Sequence, residues 1–173
     1  MKMHSGKVLY ASHEGITVLR FVGDIRYTLT PSVERFIEQL FKKAMPKGLV
    51  IDLTETVSID STSLGLMARM ANRMLNCRAQ RITLVSDRED INEMLIAMGF
   101  RKVFNIVDDS ESYSEQAQEL PVAEPDKETL TRIVLEAHRT LMAINRVNEE
   151  RFRDVVTALE KERETDSAAP SPW

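Results

Sequence analysis

The chain has 173 residues, of which 43% are hydrophobic, 29% charged and 6% aromatic, with a formal net charge of −4. That apolar share supports a folded core, and the length suits one domain of ordinary size with an appendage. A single cysteine, Cys77, excludes an internal disulfide framework and fits a reducing compartment, and no apolar run reaches the roughly 18 residues of a transmembrane helix.

The first segment, MKMHSGKVLYASHEG, lacks the basic-then-apolar pattern of a secretory signal, and a cytoplasmic location is expected. Lys7 to Ala11 and Ile16 to Phe21 are short β-rich runs joined across His13-Glu14-Gly15, so they predict an antiparallel hairpin. Thr30-Pro31 predicts a helix start, with Thr30 as N-cap and Pro31 in the first turn. That helix runs to about Lys43 and buries Val33, Phe36, Ile37, Leu40 and Phe41. Gly48 to Leu53 is a nearly continuous apolar run, typical of a strand covered on both faces.

A second helix follows Asp60, with Leu64, Met67, Ala68, Ala71, Met74 and Leu75 as its core stripe. Ile82 to Val85 predicts another strand. Ser86 to Glu89 carries cap-and-acid chemistry for a third helix, from Asp90 to Met98, closed by Gly99. Val103 to Val107 is the last strand of this region. The order β-β-α-β-α-β-α-β predicts an α/β fold, a mostly parallel or mixed sheet packed with helices.

The remainder differs in composition. Residues 1–110 carry 15 basic and 13 acidic side chains, a net of +2, whereas residues 111–173 carry 8 and 14, a net of −6. An acidic extension argues against a nucleic-acid partner, whose phosphates need clustered Lys and Arg. Residues 109–125 read as a polar linker, 126–164 as a helical extension and 165–173 as a disordered tail, leaving 1–108 as the main domain. In the extension, Leu130, Val134, Ala137, Leu141 and Ile144 form an apolar stripe that Phe152, Val155 and Leu159 continue. It is either one helix or two, the second capped by Asn148. Its stripe packs back on the domain or on another chain, including a second copy.

The stretch Val57-Ser58-Ile59-Asp60-Ser61-Thr62-Ser63-Leu64-Gly65 carries the most information. It joins a buried strand to a helix N-terminus, where free backbone N–H groups and the helix dipole suit a phosphate. Asp and Ser are also ordinary N-caps, so the stretch alone leaves both readings open. Gly65 lets another backbone approach closely.

Asp60-Ser61-Thr62-Ser63-Leu64-Gly65 resembles the D-S-[ST]-G-L-G signature of STAS domains, and is most similar to that of bacterial anti-sigma factor antagonists. Gly23-Asp24-Ile25 resembles the family's early G-[ED]-[LI] motif, and Met98-Gly99-Phe100 through Phe104 its last helix-to-strand corner. The resemblance implies a partner switch in signal transduction and transcription regulation. The unphosphorylated form binds an anti-sigma factor or related signalling protein, a serine kinase blocks binding, and a phosphatase restores it. The phosphoacceptor carries over to Ser61, with Thr62 and Ser63 as runners-up. The phosphosite loop is Asp60, Thr62, Ser63 and Gly65, with Asp60 a cap and recognition element. The chain departs from the pattern at Ser63, where the family has glycine, and at Arg26, where an acidic or polar residue is usual.

At about 100° per residue, Leu66 and Met70 fall off the core stripe and beside Arg69 and Arg73. With Asp24 and Arg26 they make a candidate partner patch; the bland alternative is that a loop or the C-terminal helix covers Leu66 and Met70. No enzyme is expected. His4, His13 and His138 lie far from Ser61 in sequence, the histidines and Cys77 lack metal-ligand spacing, and no Walker loop or dinucleotide glycine pattern calls for a cofactor. The competing class is a constitutive STAS docking module, such as a transporter subunit, free of phosphate control but without membrane insertion of its own.

Overall fold

Glu14 and Gly15 both take positive φ, 51° and 88°, the left-handed pair that a two-residue hairpin turn requires. They join strand β1 (Lys7–His13) to β2 (Ile16–Ile25) in antiparallel register, Val8 opposite Phe21. The computed structural model describes residues 5–108 and 116–168. β3 (Gly48–Asp52), β5 (Thr83–Val85) and β6 (Asn105–Val107) add in parallel, and with β7 (Gln118–Glu119) on the outer side of β1 the sheet order is β6-β5-β3-β2-β1-β7. This is a mixed α/β sheet, as the alternation of elements implies. β4 (Thr56–Ile59) pairs in parallel with the far end of β2. Its pattern is too short to stand out from the motif it precedes.

Successive strand residues point to opposite faces. Leu19, Phe21, Leu49, Ile51 and Leu84 enter the main core, with Val18, Val50 and Val85 in a separate small cluster. Helix α1 (Thr30–Lys43) covers the core with Val33 and Ile37, while Phe36, Leu40 and Phe41 are only partly buried. Thr30 is the first helical residue rather than the cap; its hydroxyl donates to the Tyr27 carbonyl at 2.6 Å. Helix α3 (Glu89–Ala97) likewise has no side-chain cap, and Gly99 ends its last turn at φ 78°.

Helix α2 (Ser61–Asn76) is apolar on more than one side. Leu64, Met67, Ala71 and Met74 face the sheet core. Leu75, assigned to that stripe by its spacing, is 36% exposed. Leu66 and Met70, expected to be at the surface, are 5% and 2% exposed. Both belong to the main core cluster, and on another side of α2 Gly65 meets the C-terminal extension.

That extension is two helices, α4 (Lys127–Ile144) and α5 (Arg146–Ala168), packed in cis. Asp126 caps α4, accepting from the Thr129 N–H at 2.7 Å. The break falls at Asn145, whose backbone is extended and whose Oδ1 accepts from the Asn148 N–H at 2.8 Å. Asn145 is therefore the cap of α5, and Asn148 instead is fully buried, donating to the Leu141 and Met98 carbonyls at 2.9 Å. α5 continues through residues 165–168, which the sequence assigned to a disordered tail; 169–173 lie outside the described residues. Part of the expected linker is also structured. β7 (Gln118–Glu119) pairs with β1, Leu120 is buried in the core, and the Ala123 N–H donates to Ser32 Oγ. Residues 109–115 of that linker lie outside the described residues.

Candidate functional site

β4 ends at Ile59, and one residue later α2 begins. Asp60 makes that junction rigid. Its backbone is extended (φ −87°, ψ 166°), its Oδ1 accepts from the Ser63 N–H at 2.9 Å, and its Oδ2 accepts from the Tyr27 N–H at 2.6 Å. One carboxylate thus caps α2 and ties it to the chain leaving β2. Both oxygens are engaged, which makes Asp60 a positioning group.

Ser61 is the first residue of α2 and is part-buried. Its Oγ lies 2.9 Å from His138 Nε2, and His138 Nδ1 lies 2.8 Å from the Val134 carbonyl, one turn earlier on α4. A carbonyl only accepts, so Nδ1 carries a proton; with the ring in its neutral form Nε2 accepts and the Ser61 hydroxyl donates. The imidazole is 5% exposed and meets the Phe152 ring edge-on at 5.3 Å. The sequence separation of 77 residues hid this contact, since nothing local marks a tail histidine as the neighbour of a motif serine.

A serine bonded to a neutral histidine is half of a nucleophilic triad. The other half is absent here: Nδ1 is held by a backbone carbonyl rather than a carboxylate. Asp60 also occupies the Ser63 N–H, a donor at the helix start that an oxyanion would otherwise use. The arrangement instead holds a hydroxyl in place and covers it.

Thr62 and Ser63 are 6% and 2% exposed, so the runner-up acceptors are buried behind Ser61. Among the described residues, Ser63 Oγ has no hydrogen-bond partner. Gly65 lies against α4: a Cβ built on it would stand 2.3 Å from the Ala137 carbonyl oxygen. Only glycine permits that approach. Leu66 and Met70 are buried in the main core cluster, so the expected partner patch is not exposed.

Arg69 does not project freely either. It pairs with Glu34 of α1 and Glu136 of α4, each at 2.9 Å, while Arg132 of α4 pairs with the same two acids at 2.7 and 3.0 Å. Burial alone would raise the Glu34 pKa, but hydrogen bonds from Arg132 and Arg69 outweigh it and hold the carboxyl below its ordinary value. Glu34, Arg132 and Glu136 escaped the sequence reading because their residue types are those of any solvated helix face. Arg73 lies over the Phe41 ring at 4.2 Å. Asp24 accepts from the Ser58 hydroxyl at 2.7 Å, and Arg26 is exposed just before the turn that leads to α1. The structure therefore gathers Ser61, Gly65 and Arg69 on the face of α2 that meets α4, with Asp60 capping the helix, Asp24 and Arg26 beside its start, and Leu66 and Met70 in the core.

A sequence model of the STAS domain matches residues 7–113, which span the strands, helices and motif just described. The chain belongs to the STAS domain family. Two solved structures share the fold. An anti-sigma factor antagonist from Mycobacterium paratuberculosis is 21% identical, with a TM-score of 0.51 over 61% of this chain and 87% of that one. The anti-sigma factor antagonist SpoIIAA in its unphosphorylated form is 18% identical, with a TM-score of 0.52 over 61% of this chain and 89% of that one. No curated protein matches significantly. The STAS match ends before α4, so the helices over Ser61 lie outside the family's common domain. Among the described residues, no helix is long and apolar enough to cross a membrane.

Proposed function

We propose that this STAS protein is a phosphorylation-controlled partner switch of the anti-sigma factor antagonist type, with Ser61 as the phosphoacceptor. The unphosphorylated chain binds an anti-sigma factor or related signalling protein through α2 and the neighbouring Asp24–Arg26 turn. A serine kinase adds the phosphate that blocks binding, and a phosphatase removes it. The carrying observation is the position of Ser61, first in α2 behind an Asp60 cap and on the same side of the helix as Gly65 and Arg69. A phosphoryl group there brings about −1.5 to −2 charge, tolerable at a helix N-terminus but costly inside an interface.

The test is intact and fragment mass of the chain purified from its own cells, with and without its serine kinases. Phosphate on Ser61 that disappears with the kinase is the expected result. No phosphate anywhere from Ser58 to Ser63 in either sample rejects the switch. The burial of Leu66 and Met70 in cis favours a second reading, the constitutive docking module. In that case Ser61→Asp and Ser61→Ala bind a captured partner equally, whereas the switch requires Ser61→Asp to bind more weakly.

A further inference from the structure

We propose that α4 and α5 form an internal occupant of the docking face of α2, and that a modified Ser61 and the docked hairpin exclude one another. The inference rests on reading Ser61 as the modification site, and it names how access to that site is regulated. Three separate contacts hold the hairpin. His138 takes the Ser61 hydroxyl proton in a 2.9 Å hydrogen bond, Ala137 lies backbone-to-backbone on Gly65, and Arg132 and Glu136 complete an ion cluster with Glu34 and Arg69. At its turn, Asn148 donates to the Met98 carbonyl and Lys102 to the Ile144 carbonyl. Leu66 and Met70 lie outside these contacts, buried in the main core with Ile37 of α1.

The docked His138 opposes a phosphoryl group on Ser61. At 2.9 Å from Oγ, His138 Nε2 stands where phosphorus and its oxygens would go. The ring cannot step back, because Phe152 packs against it and Nδ1 is tethered to Val134. The Asp60 carboxylate, fixed by two N–H groups, adds repulsion on the other side. Phosphorylation and docking are thus linked reciprocally: each disfavours the other by the same free energy. The chain then has three states. In the closed state the hairpin shields Ser61. In the open, unmodified state the α2 face is available to a partner. In the open, phosphorylated state neither partner nor hairpin can settle.

Hydrogen exchange on the full chain tests this without any kinase or partner. Released amphipathic helices lose their tertiary support and exchange quickly. In Ser61→Glu, exchange over residues 127–168 is expected to accelerate by about tenfold or more, while β2, β3 and β5 stay protected. Ser61→Ala adds neither bulk nor charge, and its hairpin is expected to stay within about threefold of the unmodified chain. Unchanged protection in Ser61→Glu overturns the proposal, and so does equal release in both variants. If Ser61→Glu loses protection throughout the sheet, the shorter Ser61→Asp is judged by the same criterion. Failure here leaves the phosphate switch standing, whereas absence of cellular phosphate on Ser61 rejects the switch but not the hairpin's exclusion by bulk and charge.

Discussion

Three side chains decide what Ser61 can do. Asp60 spends both carboxylate oxygens on backbone N–H groups, His138 accepts the hydroxyl proton, and Gly65 lets α4 come close enough for that bond. Of these, only Asp60 and Gly65 stand out in the sequence, because a cap and a helix-interior glycine each have a local signature. His138 has none; its role depends on a fold that closes a 77-residue gap. Gly65 offers a clean residue-level test. In Gly65→Ala the new methyl meets the Ala137 backbone, which cannot yield as a flexible side chain would. Overpacking of this kind costs about 1–3 kcal/mol, even though alanine is the better helix former. Denaturant unfolding of the full chain should show that loss; a neutral or stabilising substitution would mean α4 does not lie where Gly65 meets it.

Among the elements, five of the seven described strands and the first three helices follow from patterns visible in the chain, while β4 and β7 do not. The Glu14-Gly15 turn, the apolar run at β3 and the Gly99 stop each act locally. What the patterns could not give was the partner of a face. Leu66 and Met70 fall off the core stripe of α2, and spacing alone does not tell an exposed patch from one covered by a distant helix. The same limit applied to the break in the extension, where two asparagines three residues apart both suit a cap. The ion cluster between α1, α2 and α4 gives the docked hairpin a pH dependence. The folded-state pKa of Glu34 lies below its ordinary value of 4.5, so its contribution is fully present above that value and is lost as pH falls through the folded pKa. Denaturant midpoints should therefore fall in this acid range, and Glu34→Gln should flatten that part of the profile. A Glu34→Gln profile parallel to that of the unmodified chain would show that the cluster contributes nothing to docking.

On the scale of the whole molecule, the net charge of −4 conceals a near-neutral STAS region and an acidic extension. The extension is no loose tail. Its two helices close over α2, and α4 joins the Glu34–Arg69 pair with both an arginine and an acid. In the proposed switch, partner, phosphate and hairpin compete for one face, and the state of Ser61 sets which of them holds it. Small-angle scattering of the full chain with phosphoserine incorporated at position 61, beside the unmodified chain, tests this most directly. The unmodified chain should show the radius of gyration of a closed fold of its length, about 16 Å. The phosphorylated chain should be measurably larger, with a second lobe from a detached α4–α5 hairpin. Identical scattering from two chains of verified phosphorylation state would contradict the account.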